Sequence, residues 1–217
     1  MNMFTDRKDA GKKLAAALEK FKGTDAMVLA IPRGGVEVGF YVAEHLELPL
    51  FPVVSRKLPY PDNPEAGFGA IAEDGSTFIF EDALGWLSKG EIEEIKRRQI
   101  DEIGRRVRVF RAGKPLPPLE GRTILLVDDG IAMGSTMRAS IKLCRNQKAA
   151  KVVVASPVAG PDTVREMVRL ADEAVVLETP AFFQAVAQVY RHWQDVPDEE
   201  VAAFLKKRGQ GGLGPDA

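Results

Sequence analysis

Apolar residues recur in two alternating patterns along this chain. From about Thr5 to Lys22 they fall at helical spacing, at Leu14, Ala17, Leu18 and Phe21, and Gly23 is placed to stop the helix. "AMVLAI" (Ala26 to Ile31) is then a short unbroken apolar run, as a strand buried on both faces requires. Helical spacing resumes from Val36 to Leu46. A second buried strand is predicted around Leu50 to Val54, where Pro49 and Pro52 suit a beginning or an edge. The alternation returns with a strand at Thr123–Val127, a helix from about Ser135 to Arg145, and a strand in "KVVVASPVA". A helix in "PDTVREMVRLA", with Pro161 at its start, and a strand in "EAVVLETP" complete it. Short apolar strands alternating with helices predict an α/β fold, a central mostly parallel sheet with helices on both faces.

Two regions break the pattern. Pro59 to Gly75, "PYPDNPEAGFGAIAEDG", reads as a long loop with a short strand in "GAIA", and "STFIF" as another short strand. Long irregular segments in compact domains are often lids or binding loops. Ser88 to Gly113 is highly charged, with apolar positions at Ile92, Ile95, Ile100 and Ile103, and predicts a long amphipathic helix. Ser88 and Glu91 have capping-box spacing at its start. Two short helical patterns follow late in the chain, around Phe182 to Arg191 and Pro197 to Lys207. The expected organisation is a single domain over residues 1–208. It comprises a core at about 26–179, a helical insertion at about 82–113, C-terminal helices at about 181–208, and a flexible tail at 209–217.

Composition narrows the function classes. The chain has 217 residues, 45% of them hydrophobic, and a formal net charge of −1. It therefore lacks the overall basic field that nonspecific nucleic-acid binding needs. The single cysteine, Cys144, excludes an internal disulfide framework and suits a reducing, cytoplasmic setting; its surroundings read as a buried helix. His45 and His192 stand in no metal-ligand spacing. No apolar run approaches the roughly 20 residues that span a bilayer.

The chemistry is expected where strands end, because an open parallel sheet binds ligands beyond the carboxyl ends of its strands. Three unusual segments lie there: "PRGG", "SRK" and "DDGIAMGST". Gly134, Ser135 and Thr136 would form the turn into a helix, whose free N–H groups and dipole favour a phosphate. Asp128 and Asp129 stand a few residues away, where neighbouring sugar hydroxyls would partner them. A ribose 5-phosphate satisfies both halves, and Mg²⁺ suits the carboxylate oxygens. Arg33, Arg56 and Lys57 supply more cations than one phosphate uses, which points to a second anionic group such as pyrophosphate.

"ILLVDDGIAMGST" resembles the PRPP-binding motif of type I phosphoribosyltransferases. "AIPRGG" resembles that family's pyrophosphate loop, and "RK" its basic residues after the second strand. The three segments keep the family's order over roughly Ala26 to Thr179. The resemblance implies Mg²⁺-dependent attack of a nitrogenous acceptor on PRPP with release of pyrophosphate. Asp128 and Asp129 would hold the ribose hydroxyls and Mg²⁺, directly or through water. Gly130, Ile131, Ala132, Met133, Gly134, Ser135 and Thr136 would form the 5-phosphate loop. Arg33, Gly34 and Gly35, with Arg56 and Lys57, would hold pyrophosphate, and a closing loop would exclude water. Met133 replaces a hydroxyl residue usual in the loop, Gly130 an aliphatic one, and Ala132 the acid of 6-oxopurine enzymes. Further expectations are a homodimer or higher oligomer and an acceptor hood outside the core. A PRPP- or nucleotide-sensing regulator and a hydrolase of a phosphoribosyl compound stay open beside the transferase.

Overall fold

The structure, a computed structural model, describes residues 4–209. The tail expected at 209–217 lies outside the described residues, apart from Gly209. The strands β1 (Met27–Ala30), β2 (Leu50–Pro52), β6 (Thr123–Val127), β7 (Lys151–Val158) and β8 (Glu173–Glu178) form one sheet. Its order is β2-β1-β6-β7-β8, and every pairing is parallel. β2 is an edge strand, which is where Pro52 is tolerated.

Strand alternation sends side chains to two cores. Val28, Ala30, Leu125, Val127 and Val153 pack on one face against the helices α1 (Arg7–Ala17), α2 (Gly34–Leu46) and α6 (Asp198–Lys207). Met27, Leu29, Ile124, Leu126 and Val152 pack on the other against α4 (Ser135–Asn146) and α5 (Pro161–Leu170). The sheet is thus covered on both sides, as its unbroken apolar strands require. Cys144 is fully buried in the second core. Among the described residues no helix is long and apolar enough to cross a membrane.

The stretch expected as a long loop is mostly antiparallel sheet. β3 (Ser55–Tyr60) pairs with β4 (Asn63–Ala72), which pairs with β5 (Thr77–Ile79). The short strand expected in "GAIA" forms the end of β4, and the one expected in "STFIF" forms β5. Pro59 fits because the β3–β4 register slips on either side of it. Pro61, Asp62, Pro64 and Glu65 sit at the exposed outer end of this hairpin, whereas Phe68 and Ala70 to Ala72 are buried at its base.

The long helix α3 (Lys89–Arg111) follows, opened by the Ser88–Glu91 capping box. Ile92, Ile95 and Ile103 face inward as expected, but Ile100 is half exposed. The helix expected around Phe182–Arg191 is mostly irregular, with one 3-10 turn at Val186–Val189. This segment is fixed instead by a parallel backbone bridge between Phe4 and Tyr190 and by side chains: Tyr190 is buried against Phe4, and Trp193 packs on Tyr190.

Candidate active site

β1 and β6 are neighbours in register, Ala30 beside Val127, so the chain segments leaving them run side by side. Ile31 N–H donates to the Val127 carbonyl at 2.9 Å and holds the two segments together. The peptide between Pro32 and Arg33 is cis. Gly34 and Gly35 open α2 directly against the paired acids. A Cβ on Gly35 would stand 2.9 Å from Asp128 Oδ1, and one on Gly34 would collide with the Asp129 carboxylate. Only glycine permits this approach. Asp128 Oδ1 also accepts from the Asp129 N–H at 2.9 Å. Burial, and next the Asp129 charge, push the Asp128 carboxyl well above the usual carboxylate range.

After the acids the chain turns into α4. Gly134 takes φ 73°, the left-handed conformation that glycine adopts without strain. Among the described residues no side chain caps this helix, so the N–H groups of its first turn are open to an anion. Thr163 of α5 donates to the Ala132 carbonyl at 2.8 Å and steadies the turn from behind. Gly130 is needed because a Cβ there would collide with Val186. A cavity of about 300 Å³ opens over the turn, lined by Asp128, Gly130 to Thr136, Lys57 and the hairpin residues Glu65 to Gly67. Lys57 Nζ donates to the Glu65 carbonyl at 2.5 Å, and Met133 is 61% exposed at the rim.

The remaining anticipated residues lie outside this cavity. Strand alternation sends Arg56 to the face of β3 opposite Lys57, where its Nε donates to Gln99 of α3 at 3.1 Å. Arg33 points towards Asp198 of α6, 4.0 Å away. Asp129 is held by Arg7, whose Nε lies 2.8 Å from its Oδ2, and its carbonyl accepts from the Tyr190 hydroxyl at 2.6 Å.

Arg7 is a site residue that the motifs did not reveal. It is buried, donates to the Gln194 carbonyl at 2.8 Å, lies 4.0 Å from the Trp193 ring centre, and stands 3.9 Å from Glu37. Its only sequence signal was a cation at a helix start, where cations are disfavoured by the helix dipole.

The fit of a divalent cation follows from the donors. Among the described residues no cluster of three or more His, Cys, Asp or Glu could enclose one. Among the described residues Asp128, which faces the cavity, has no ion-pair partner, whereas Asp129 has Arg7. Such a pair fits Mg²⁺ that takes most of its oxygen ligands from phosphates and water.

Parallel sheet, paired acids and an uncapped glycine turn thus meet at the carboxyl edge of β1 and β6. Residues 3–191 match the Phosphoribosyl transferase domain family, and the chain belongs to that family. Over 209 residues, 95% of this chain, it is 44% identical to proteins of Mycobacterium tuberculosis strains CDC 1551 / Oshkosh and ATCC 25618 / H37Rv. Each is provisionally named a phosphoribosyl transferase, and the chain spans 47% of the length of each. The crystal structure of TT1426 from Thermus thermophilus is 37% identical with a TM-score of 0.80, covering 97% of this chain and 100% of that one.

Proposed function

We propose that this chain transfers the 5-phosphoribosyl group from PRPP to a nucleobase-like nitrogenous acceptor and releases pyrophosphate. One observation carries the reading: Asp128 and the uncapped start of α4 face a single cavity, with Lys57 on its wall. That spacing of acid and anion cradle suits the hydroxyls and 5-phosphate of one ribose.

In this reading the N–H groups and hydroxyls of Ser135 and Thr136 hold the 5-phosphate, and the backbone of Gly130 to Gly134 shapes the loop. Asp128 accepts from the ribose hydroxyls. Asp129 joins it only by loosening its contact with Arg7, so Arg7 competes with the sugar for that carboxylate. Lys57, Arg33, Gly34 and Gly35 receive the pyrophosphate, whereas Arg56, turned to α3 on the opposite face of β3, takes no part in holding it. As the acceptor nitrogen bonds to the anomeric carbon, the bond from that carbon to pyrophosphate breaks, and positive charge develops on the sugar. The two carboxylates are placed to stabilise that charge. Asp128 and Asp129, through water, would hold Mg²⁺, which when bound neutralises charge on the departing pyrophosphate.

The test is to incubate the chain with PRPP, Mg²⁺ and a panel of nucleobases and to assay pyrophosphate. Release that depends on one of the bases is the expected result. Release without any base would replace the transferase with a hydrolase. Binding of PRPP without turnover on a broad panel would replace it with a PRPP-sensing regulator.

A further inference from the structure

Four arginines gather beside the start of α2, on the side that faces α3 and α6. Arg56 reaches α3 through Gln99. Gln99, Glu102 and Arg106 share one face of that helix, at i, i+3 and i+7. Glu102 accepts from Arg106 Nε at 3.0 Å and from Arg105 Nε at 2.8 Å. Arg105 extends to Asp198 Oδ2 at 2.8 Å, and the other oxygen of Asp198 lies 4.0 Å from Arg33. That second oxygen is buried and has no hydrogen-bond partner among the described residues.

Three of the four arginines therefore share two carboxylates. Among the described residues Arg56 pairs with no carboxylate, and its partner Gln99 is neutral. Burial first, and then Arg106, hold the Arg56 guanidinium below its usual value; Glu102 opposes them, and Arg105 and Arg33 add to the lowering. Gathering guanidinium groups without matching carboxylates costs repulsion and desolvation. A bound anion removes that cost. Pyrophosphate seated on the loop at Arg33 leaves the terminal nitrogens of Arg56 and Arg106 to a further phosphate, their Nε groups being taken by Gln99 and Glu102, and guanidinium groups match phosphate oxygens closely.

We propose that this side of the site binds an oligophosphate chain longer than pyrophosphate, extending from Arg33 to Arg56 and Arg106. The inference rests on reading Ile31 to Gly35 as the pyrophosphate loop. It adds α3, which carries none of the recognised motifs, to the binding surface.

The test titrates the full chain by calorimetry with inorganic pyrophosphate, inorganic tripolyphosphate and PRPP with Mg²⁺. Tripolyphosphate should bind about tenfold more tightly than pyrophosphate, the size expected of one further charge-assisted contact. Arg106→Gln should abolish that preference and leave PRPP affinity unchanged. Arg97→Gln removes the same charge from the exposed face of α3 and should keep the preference. Thermal melting shows whether Arg106→Gln folds; should it not, Arg106→Lys keeps the charge without the guanidinium and should narrow the preference. Equal affinity for the two anions, or a preference that survives at position 106 or vanishes equally in the Arg97 variant, overturns the inference. PRPP binding without preference for the longer chain leaves the phosphoribosyl reading intact. Failure of PRPP itself to bind overturns that reading.

Discussion

At the scale of single residues, the site is a contest over carboxylates. Arg7 lies between Asp129 and Glu37, and both acids are largely withdrawn from water. Burial, opposed by Arg7, raises the Glu37 carboxyl to about 7, and Glu200, Asp6 and Asp129 push in the same direction. A carboxyl raised in the folded state stabilises the fold fully below its ordinary pKa of 4.5, and that contribution is lost as pH rises through about 7. Wild-type stability should therefore fall by up to about 3 kcal/mol across that window. Glu37→Gln should flatten the decline in urea unfolding measured pH by pH; an unchanged slope would remove Glu37 as its source. Asp128, Gly134, Ser135 and Thr136 were legible in the sequence because the motif places acid and cradle within a few residues of each other. Arg7 was not, since it meets Asp129 across 122 positions of chain, a distance that no local pattern reports. The separation of Arg56 from Lys57 was legible in principle, because adjacent strand residues face opposite ways, but only once that segment is known to be a strand.

At the scale of elements, the hairpin of β3 and β4 departs most from the sequence reading. Its base is held by Phe68 and Ala70 to Ala72, and its outer end at Asn63 to Glu65 is exposed. Glu65 to Gly67 nevertheless line the cavity. The segment proposed to close over the site is thereby narrowed from Pro59–Gly75 to the outer end of this hairpin. Limited proteolysis should cut near Pro61 to Glu65 and slow when PRPP and Mg²⁺ are added. Equal cutting with and without ligand would remove the lid. The hairpin escaped prediction because proline and glycine ordinarily signal loops; here a register slip accommodates Pro59, and Gly69 lets β5 approach, since a Cβ there would collide with the Phe78 carbonyl. The α3 helix was readable down to its cap, because charge periodicity and the Ser88–Glu91 box are local signals. The segment around Phe182–Arg191 was not, since Tyr190 and Trp193 are fixed by tertiary contacts with Phe4 and Arg7 rather than by helical hydrogen bonds.

At the scale of the molecule, the parallel sheet brings together loops that are nearly a hundred residues apart in sequence. Its order was open in the sequence, although the unbroken apolar strands already required helices on both faces. Cys144 reports on the integrity of that sheet. Burial pushes its thiol up to about 12, so neither access nor ionisation favours reaction in the folded state. A thiol reagent at neutral pH should label it only as fast as the domain opens, and immediate labelling would contradict the packing of α4 on the sheet. The central claim is that Asp128 and the start of α4 form one phosphoribose site. Calorimetry of PRPP with Mg²⁺ against the wild type and Asp128→Asn tests it most directly. The account predicts saturable binding to the wild type, weakened at least about tenfold in the variant, as loss of a charge-assisted contact requires. No binding to the wild type, or equal affinity for both, would contradict it.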